Sequence, residues 1–357
     1  MASDERIFFE TDDYHTGGEP FRIVAPGAVA LEGNGVADKR VKAMASESVQ
    51  FARALLCSEP RGHADMYGGF VTEPDDDGAD LGVLFWHKDG FSTACGHGTI
   101  ALGVWAVETG LVPTQPSGIR DVRIDVPSGR VTARVAFDDG VITSVSFVNV
   151  PSWVHATAVD VTTDRGPVTC DIAFGGAMYA VVPAAAVGLR VHPDDLPDLI
   201  RTGRQIRNGL NAVGAAEHPS DARLSGVYGT IFTEDVDPTD VVSAASVEGL
   251  GSDGALHQRN VTIFSDGEVD RSPCGSGTAA RVAHLVGQGG LAQGDLLVHD
   301  SIVGSRFHAR AVSQGMAAAA DGHDSVVVEV TGTAHRFGRS QFTVDRRDVL
   351  VPGFVLR

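Results

Sequence analysis

The sequence predicts an α/β fold, α+β in detail, made of two similar halves related by a pseudo-twofold. Three observations carry that expectation. The 357 residues suffice for two domains of ordinary size, and 43% hydrophobic with 21% charged residues is usual for a folded chain. The pattern Cys-Gly-x-Gly-Thr occurs at Cys95 and again at Cys274, about half a chain apart. Each copy follows an apolar, β-prone run with an Asp-Gly turn and precedes an apolar helical stretch, so two half-chains repeat one supersecondary unit.

The elements follow in order. "KRVKAMASESVQFARALLCSEP" has apolar residues at helical spacing and a proline beyond its end, which predicts one helix. "LGVLFWHKDGFSTA" predicts a strand and a hairpin turn at Asp89–Gly90. "TIALGVWAVETG" then predicts a helix stopped at Gly110–Leu111. "VRIDVPSGRVTARVAFDDGVITSVSFVNVP" alternates apolar and polar residues, with turns at Pro127–Gly129 and Asp138–Gly140. A domain boundary is expected around residues 149–161, which separates a first domain, 1–155, from a second, 156–339. The last segment, 340–357, is expected to rejoin the first.

In the second half, "DDLPDLIRTGRQIRNGLN" predicts a helix. The loop "EGLGSDGALH" matches G-x-G-x-x-G at Gly249, Gly251 and Gly254, but no helical pattern follows, so it reads as a turn and not a dinucleotide site. "NVTIFSDGEVDRSP" predicts a strand and a turn at Asp266–Gly267, and "TAARVAHLVGQGG" a helix stopped at Gly290–Leu291. "SVVVEVTGTAHRFG" and "SQFTVDRRDVLVPGFVLR" alternate as strands.

A net charge of −18 disfavours nucleic acid and anionic membranes as partners. No apolar run is long enough for a transmembrane helix. The acidic N-terminus lacks a basic region followed by an apolar core, so the chain is read as cytoplasmic. Four cysteines, Cys57, Cys95, Cys170 and Cys274, are too few for a disulfide scaffold. There is no C-x-x-C pair and no H-E-x-x-H, and Cys95 with His97 is too isolated to suggest zinc, so no metal is expected. Lysine occurs only at Lys39, Lys42 and Lys88, which leaves few candidates for a Schiff base, and no cofactor is expected.

A single Cys-Gly-x-Gly-Thr reads most simply as a buried cysteine at a tight strand-to-helix turn. Two matched copies call for chemistry. A helix N-terminus presents unpaired N–H groups and about half a positive charge, which favours a thiolate. Ser272 and Pro273 suit an N-cap and first helical position ahead of Cys274. Glycines let a carboxylate approach the same amides. Two such ends facing one cleft would grip one carboxylate and aim a sulfur at each face of the adjacent carbon. One thiolate would remove the α-proton and the opposite thiol would return one, which inverts the centre. The rival reading is a non-enzymatic thiol switch or binding protein.

"YHTGGEPFRIV" at 14–24, "EPRGHADMYGGF" at 59–70, "ACGHGT" at 94–99, "DIAFGGAMYA" at 171–180, "DRSPCGSGT" at 270–278 and the ending "DVLVPGFVLR" together resemble the proline racemase family. The resemblance spans essentially the whole chain. It implies a diaminopimelate-epimerase-like fold, two domains each wrapping sheet around a central helix, with the site in the cleft between them. It implies a racemase or 2-epimerase of proline or a hydroxyproline, a small-molecule substrate and no cofactor; a homodimer is left open. Cys95 and Cys274 would be the two bases. Gly96, His97, Gly275 and Ser276 would hold the carboxylate, Asp270 and the His97 side the ring nitrogen, and Tyr67 and Phe264 would wall the ring. Dehydratases of trans-3-hydroxy-L-proline in the family usually carry threonine where this chain has Cys274, so the cysteine pair favours epimerisation. The flanking stretches "EPRGHADMYGG" and "GVLFWHKDGFSTACGHGT" are nearer the dehydratases, which keeps dehydration as the alternative.

Overall fold

Period-two alternation becomes strand wherever the sequence carries it at length, and the two most evenly apolar stretches become buried helices. The computed structural model of the chain describes residues 7–236, 254–314, 323–345 and 347–356. Gly249 and Gly251 of the glycine-rich loop lie outside the described residues.

The first half contains β1 (Ile7–Thr16), β2 (Glu19–Val24), α1 (Val36–Ala45), α2 (Glu47–Cys57), β3 (Gly68–Thr72), β4 (Leu81–His87), β5 (Gly90–Phe91), α3 (Gly96–Glu108), β6 (Gly118–Val126), β7 (Gly129–Asp138) and β8 (Val141–Val148). The second contains β9 (Ser152–Thr163), β10 (Gly166–Phe174), β11 (Met178–Pro183), α4 (Leu196–Ala212), β12 (Val227–Asp235), β13 (Leu256–Phe264), β14 (Glu268–Val269), α5 (Gly275–Gly287), β15 (Leu297–Ser301), β16 (Arg306–Gln314) and β17 (Ser325–Gly332). The chain ends in β18 (Ala334–Val344), antiparallel to β1.

Strand pairing repeats between the halves. The series β18–β1–β2–β3–β4–β6–β7–β8 runs antiparallel, antiparallel, parallel, antiparallel, parallel, antiparallel, antiparallel. The series β9–β10–β11–β12–β13–β15–β16–β17 repeats it in the same order and sense. The two series meet at β8 and β17, and β9 also pairs with β17, which closes the second series on itself. The fold is therefore α+β, a large mixed sheet with few helices.

Each series surrounds one helix. Every residue of α3 from Gly96 to Val107 is buried, as is every residue of α5 from Gly275 to Leu285. The apolar α3 must be covered on all sides, and α5 can be buried because its polar Arg281 and His284 are met by Gln258 and Asp171. Gly103 shows how closely: a Cβ there would lie 2.8 Å from that of Ala133 on β7. The single helix expected over residues 39–60 is instead two, broken at Ser46, whose hydroxyl caps α2 at the Val49 amide. Local capping chemistry wins there over the continuous apolar spacing. The expected helix in the second half is α4. The Asp-Gly turns join β4 to β5 and β13 to β14.

Candidate active site

The short strands β5 and β14 deliver the chain to the starts of the two central helices. Cys95 is the N-cap of α3 and Cys274 the N-cap of α5. The third helical amide of α3 turns to its sulfur: Gly98 N donates to Cys95 Sγ at 3.2 Å. Cys274 makes no such side-chain capping bond, although Gly277 lies close beside it, where a Cβ would stand 2.9 Å from the sulfur. The amides before these glycines, of Gly96 and His97 and of Gly275 and Ser276, stand in helical first turns, where no intrahelical acceptor exists. The two starts touch. A Cβ on Gly96 would lie 2.5 Å from the Gly275 Cα, and one on Gly275 would lie 2.7 Å from the Gly96 Cα. Only glycine fits at either position.

Cys274 has φ +61°, unusual for a residue with a Cβ. Such backbone costs about 1–3 kcal/mol and persists where its surroundings enforce it. Ser272 is not the N-cap and Pro273 is not the first helical residue, contrary to expectation. The helix starts two residues later because Ser272 is otherwise engaged: its Oγ accepts the Cys274 amide at 3.1 Å and donates to Asp270 Oδ1 at 2.7 Å.

Electrostatics differ from the simplest helix-dipole expectation. Burial raises both thiols above the usual cysteine range. The Gly98 amide opposes this at Cys95, while the nearby Asp270 charge adds to it at both sulfurs. A charge on Cys274 also opposes one on Cys95, so the sulfurs are electrostatic neighbours. Burial pushes the Asp270 carboxyl up to about 6 against the pull of its Ser272 donors. Burial alone takes His97 down to about 3, so its ring is neutral at pH 7. That ring lies 3.5 Å from Cys95 Sγ and 3.9 Å from Asp270 Oδ2.

Aromatic rings enclose this space. Tyr67 meets His97 edge-on with centroids 5.0 Å apart and Phe264 at 5.7 Å, and Phe21 packs against both Tyr67 and His97. The residues singled out from sequence thus converge: Cys95, Gly96, His97 and Tyr67 from the first half, Phe264, Asp270, Cys274, Gly275 and Ser276 from the second. His15 accepts the Gly18 amide within its own turn, and Cys57 and Cys170 bond backbone carbonyls in the core, as their plainest readings require.

Sequence reading missed several neighbours. The Tyr67 hydroxyl bonds Ser92 Oγ and, at 3.0 Å, the Tyr228 hydroxyl. Tyr179 bonds Ser276 Oγ at 2.7 Å. Ser92 and Tyr179 sit inside motifs already singled out, whereas Tyr228 carries no local signal because β12 is distant in sequence. A cavity of about 330 Å³ opens beside this wall, lined by Ser92, Tyr228, His87 and the cations Arg40, Arg207 and Arg223. His87, Asp89 and Glu268 bring potential metal ligands within 4.8 Å of one another. There Lys88 Nζ reaches Asp89 at 2.7 Å and Glu268 at 3.3 Å, so an ammonium group already supplies the positive charge.

Comparison with known proteins places this geometry. The proline racemase family model matches residues 12–355. A trans-3-hydroxy-L-proline dehydratase of Bacillus thuringiensis subsp. konkukian is 40% identical over 348 residues, 98% of each chain. A 3-hydroxyproline 2-epimerase of Burkholderia multivorans is 43% identical over 349 residues, 97% of this chain and 98% of that one. The crystal structure of a hydroxyproline epimerase from Agrobacterium vitis, with bound trans-4-hydroxy-L-proline, superposes with a TM-score of 0.84 at 28% identity, covering 98% of this chain and 96% of that one. With the family's pattern present from the first strand to the last residues, the chain belongs to the proline racemase family.

Proposed function

We propose that this enzyme is a two-base isomerase that inverts the α-carbon of proline or a hydroxyproline, using Cys95 and Cys274 and no cofactor, in the cytoplasm. The observation that carries the reading is the contact of two helix starts, each capped by a cysteine. The substrate carboxylate would take the amides of Gly96, His97, Gly275 and Ser276, and the ring ammonium would sit against Asp270. One sulfur, as thiolate, takes the α-proton and becomes a thiol. The electron pair delocalises into the carboxylate, where the amides stabilise the charge. The opposite thiol gives its proton to the other face and is left as thiolate, so atoms and charge balance. The raised thiols disfavour the thiolate in the free enzyme, and make it a stronger base once formed. An ammonium beside Asp270 offsets the charge that opposes thiolate formation, so substrate would help to activate its own base.

The test is incubation in deuterated water with L-proline, trans-4-hydroxy-L-proline and trans-3-hydroxy-L-proline. The expected product has inverted configuration and one α-deuterium; absence of α-exchange on all three would overturn the reading. Dehydration of trans-3-hydroxy-L-proline is the second reading, favoured by the hydroxyls of Tyr67, Ser92 and Tyr228 on the ring wall. It predicts a cyclic imine, measurable with an imine-reducing coupling enzyme.

A further inference from the structure

Glu19 opens β2 after the turn Gly17–Gly18, where both glycines have positive φ. The turn reaches across the cleft: a Cβ on Gly17 would lie 3.3 Å from the Ser272 Cβ. Glu19 is fully buried. Its Oε2 accepts the Arg271 amide at 2.7 Å, and its Oε1 has no hydrogen-bond partner among the described residues. The charged and titratable groups that act on it or feel it are Asp270, Arg271, Asp65 and Cys95.

Two buried carboxyls therefore adjoin the place proposed for the ring nitrogen, with one cation nearby. That cation is already engaged, since Arg271 bonds Asp65 Oδ2 at 2.7 Å. Counting donors separates the two carboxyls. Asp270 Oδ1 accepts both the amide and the hydroxyl of Ser272, at 2.8 and 2.7 Å, and Asp270 also lies against the Cys274 thiol. Glu19 has a single amide. A buried carboxylate needs several donors, and a buried carboxylic acid needs fewer.

The geometry points to Glu19 as a neutral, proton-bearing positioning residue of the ring-nitrogen subsite, which leaves one negative charge there, on Asp270. Burial and the Asp270 charge both raise the Glu19 carboxyl well above its ordinary range, in the same sense. The consequence is charge matching: one carboxylate meets one ammonium, and no second negative charge opposes the Cys95 thiolate. The assignment concerns the free enzyme, and only its consequence for catalysis rests on the proposed function.

Infrared difference spectroscopy on the free enzyme tests it. At pH 7 the carbonyl stretch of a protonated carboxylic acid is expected in the wild type, absent in Glu19→Gln and retained in Asp270→Asn and Glu268→Gln. A band lost with Asp270→Asn and kept in Glu19→Gln overturns the assignment. Should Glu19→Gln not fold, labelling Glu268→Gln protein with carboxyl-¹³C glutamate must shift the band; an unshifted band overturns it. A kinetic arm applies if the isomerase reading holds. Removing a neutral Glu19 proton leaves the acidic limb of kcat/KM in place, whereas removing a charged Glu19 would move that limb to lower pH. Failure of the isomerase reading shows as no turnover in any variant and leaves the infrared result standing.

Discussion

At the scale of single residues, the proposed roles of the two sulfurs are separable. Cys95→Ser and Cys274→Ser are each expected to lower epimerisation about 10²–10⁴-fold, the usual worth of a positioned acid or base. Chiral chromatography of the product measures this. If dehydration needs only the first base, Cys274→Thr keeps imine formation from trans-3-hydroxy-L-proline while losing inversion; equal loss of both would show that both reactions need Cys274. Asp270 gives a pH prediction. Its carboxyl is buried and pushed up to about 6, and in the proposed role it would bind the ammonium only when ionised. KM is therefore expected to rise as pH falls through about 6, and Asp270→Asn to show a high KM without that pH dependence. Steady-state kinetics between pH 5 and 8, the usual working window for such titrations, checks it.

At the scale of elements, the glycines that open α3 and α5 are the most exacting positions. Gly96→Ala places a methyl where the Gly275 backbone lies at 2.5 Å, and neither helix can retreat because both are buried on every side. The substitution is expected to cost about 1–3 kcal/mol, as overpacking does, and to part the two helix starts. Denaturant unfolding measures the first effect and loss of turnover the second; an unchanged midpoint with full activity would refute the contact. These helices and their cysteines were legible because the repeated pentapeptide and continuous apolar runs are local signals. Asp270 and Tyr67 were legible through resemblance alone. Tyr228 and the carboxyl pair of Glu19 and Asp270 were not, since each depends on strands that adjoin only after folding. The N-cap of α5 was misread because Ser272 serves Asp270, a partnership that spacing does not encode. The depressed thiol pKa expected from the helix ends is overridden by burial, which depends on the whole cleft.

At the scale of the whole molecule, the repeated pairing series supports two units, and we infer that their limits lie a few residues before the expected 155/156 and 339/340, because β9 pairs with β10 from Trp153 and β18 with β1 from Ala334. Contacts beyond the helix starts also bridge the two halves, and we infer that they act as a clasp on the cleft. Asp89, beyond β4, accepts the Ser265 hydroxyl and the Asp266 amide, each at 2.9 Å, while Lys88 reaches Glu268. Burial would raise the Asp89 carboxyl, but Lys88, the Asp266 amide and Ser265 together hold it well below the usual range. A depressed carboxyl contributes stability above its unfolded value, about pH 4, and loses it as pH falls further. The clasp therefore acts throughout the neutral range. Asp89→Ala removes it without touching either helix core. The expected result is an open cleft with a KM about tenfold higher, since the lost bonds each contribute on the order of 1 kcal/mol. Small-angle scattering should show a larger radius of gyration for free Asp89→Ala than for wild type, and saturating substrate should bring the two together. Identical scattering and an unchanged KM would mean that the apolar contact between the halves holds the cleft without the clasp.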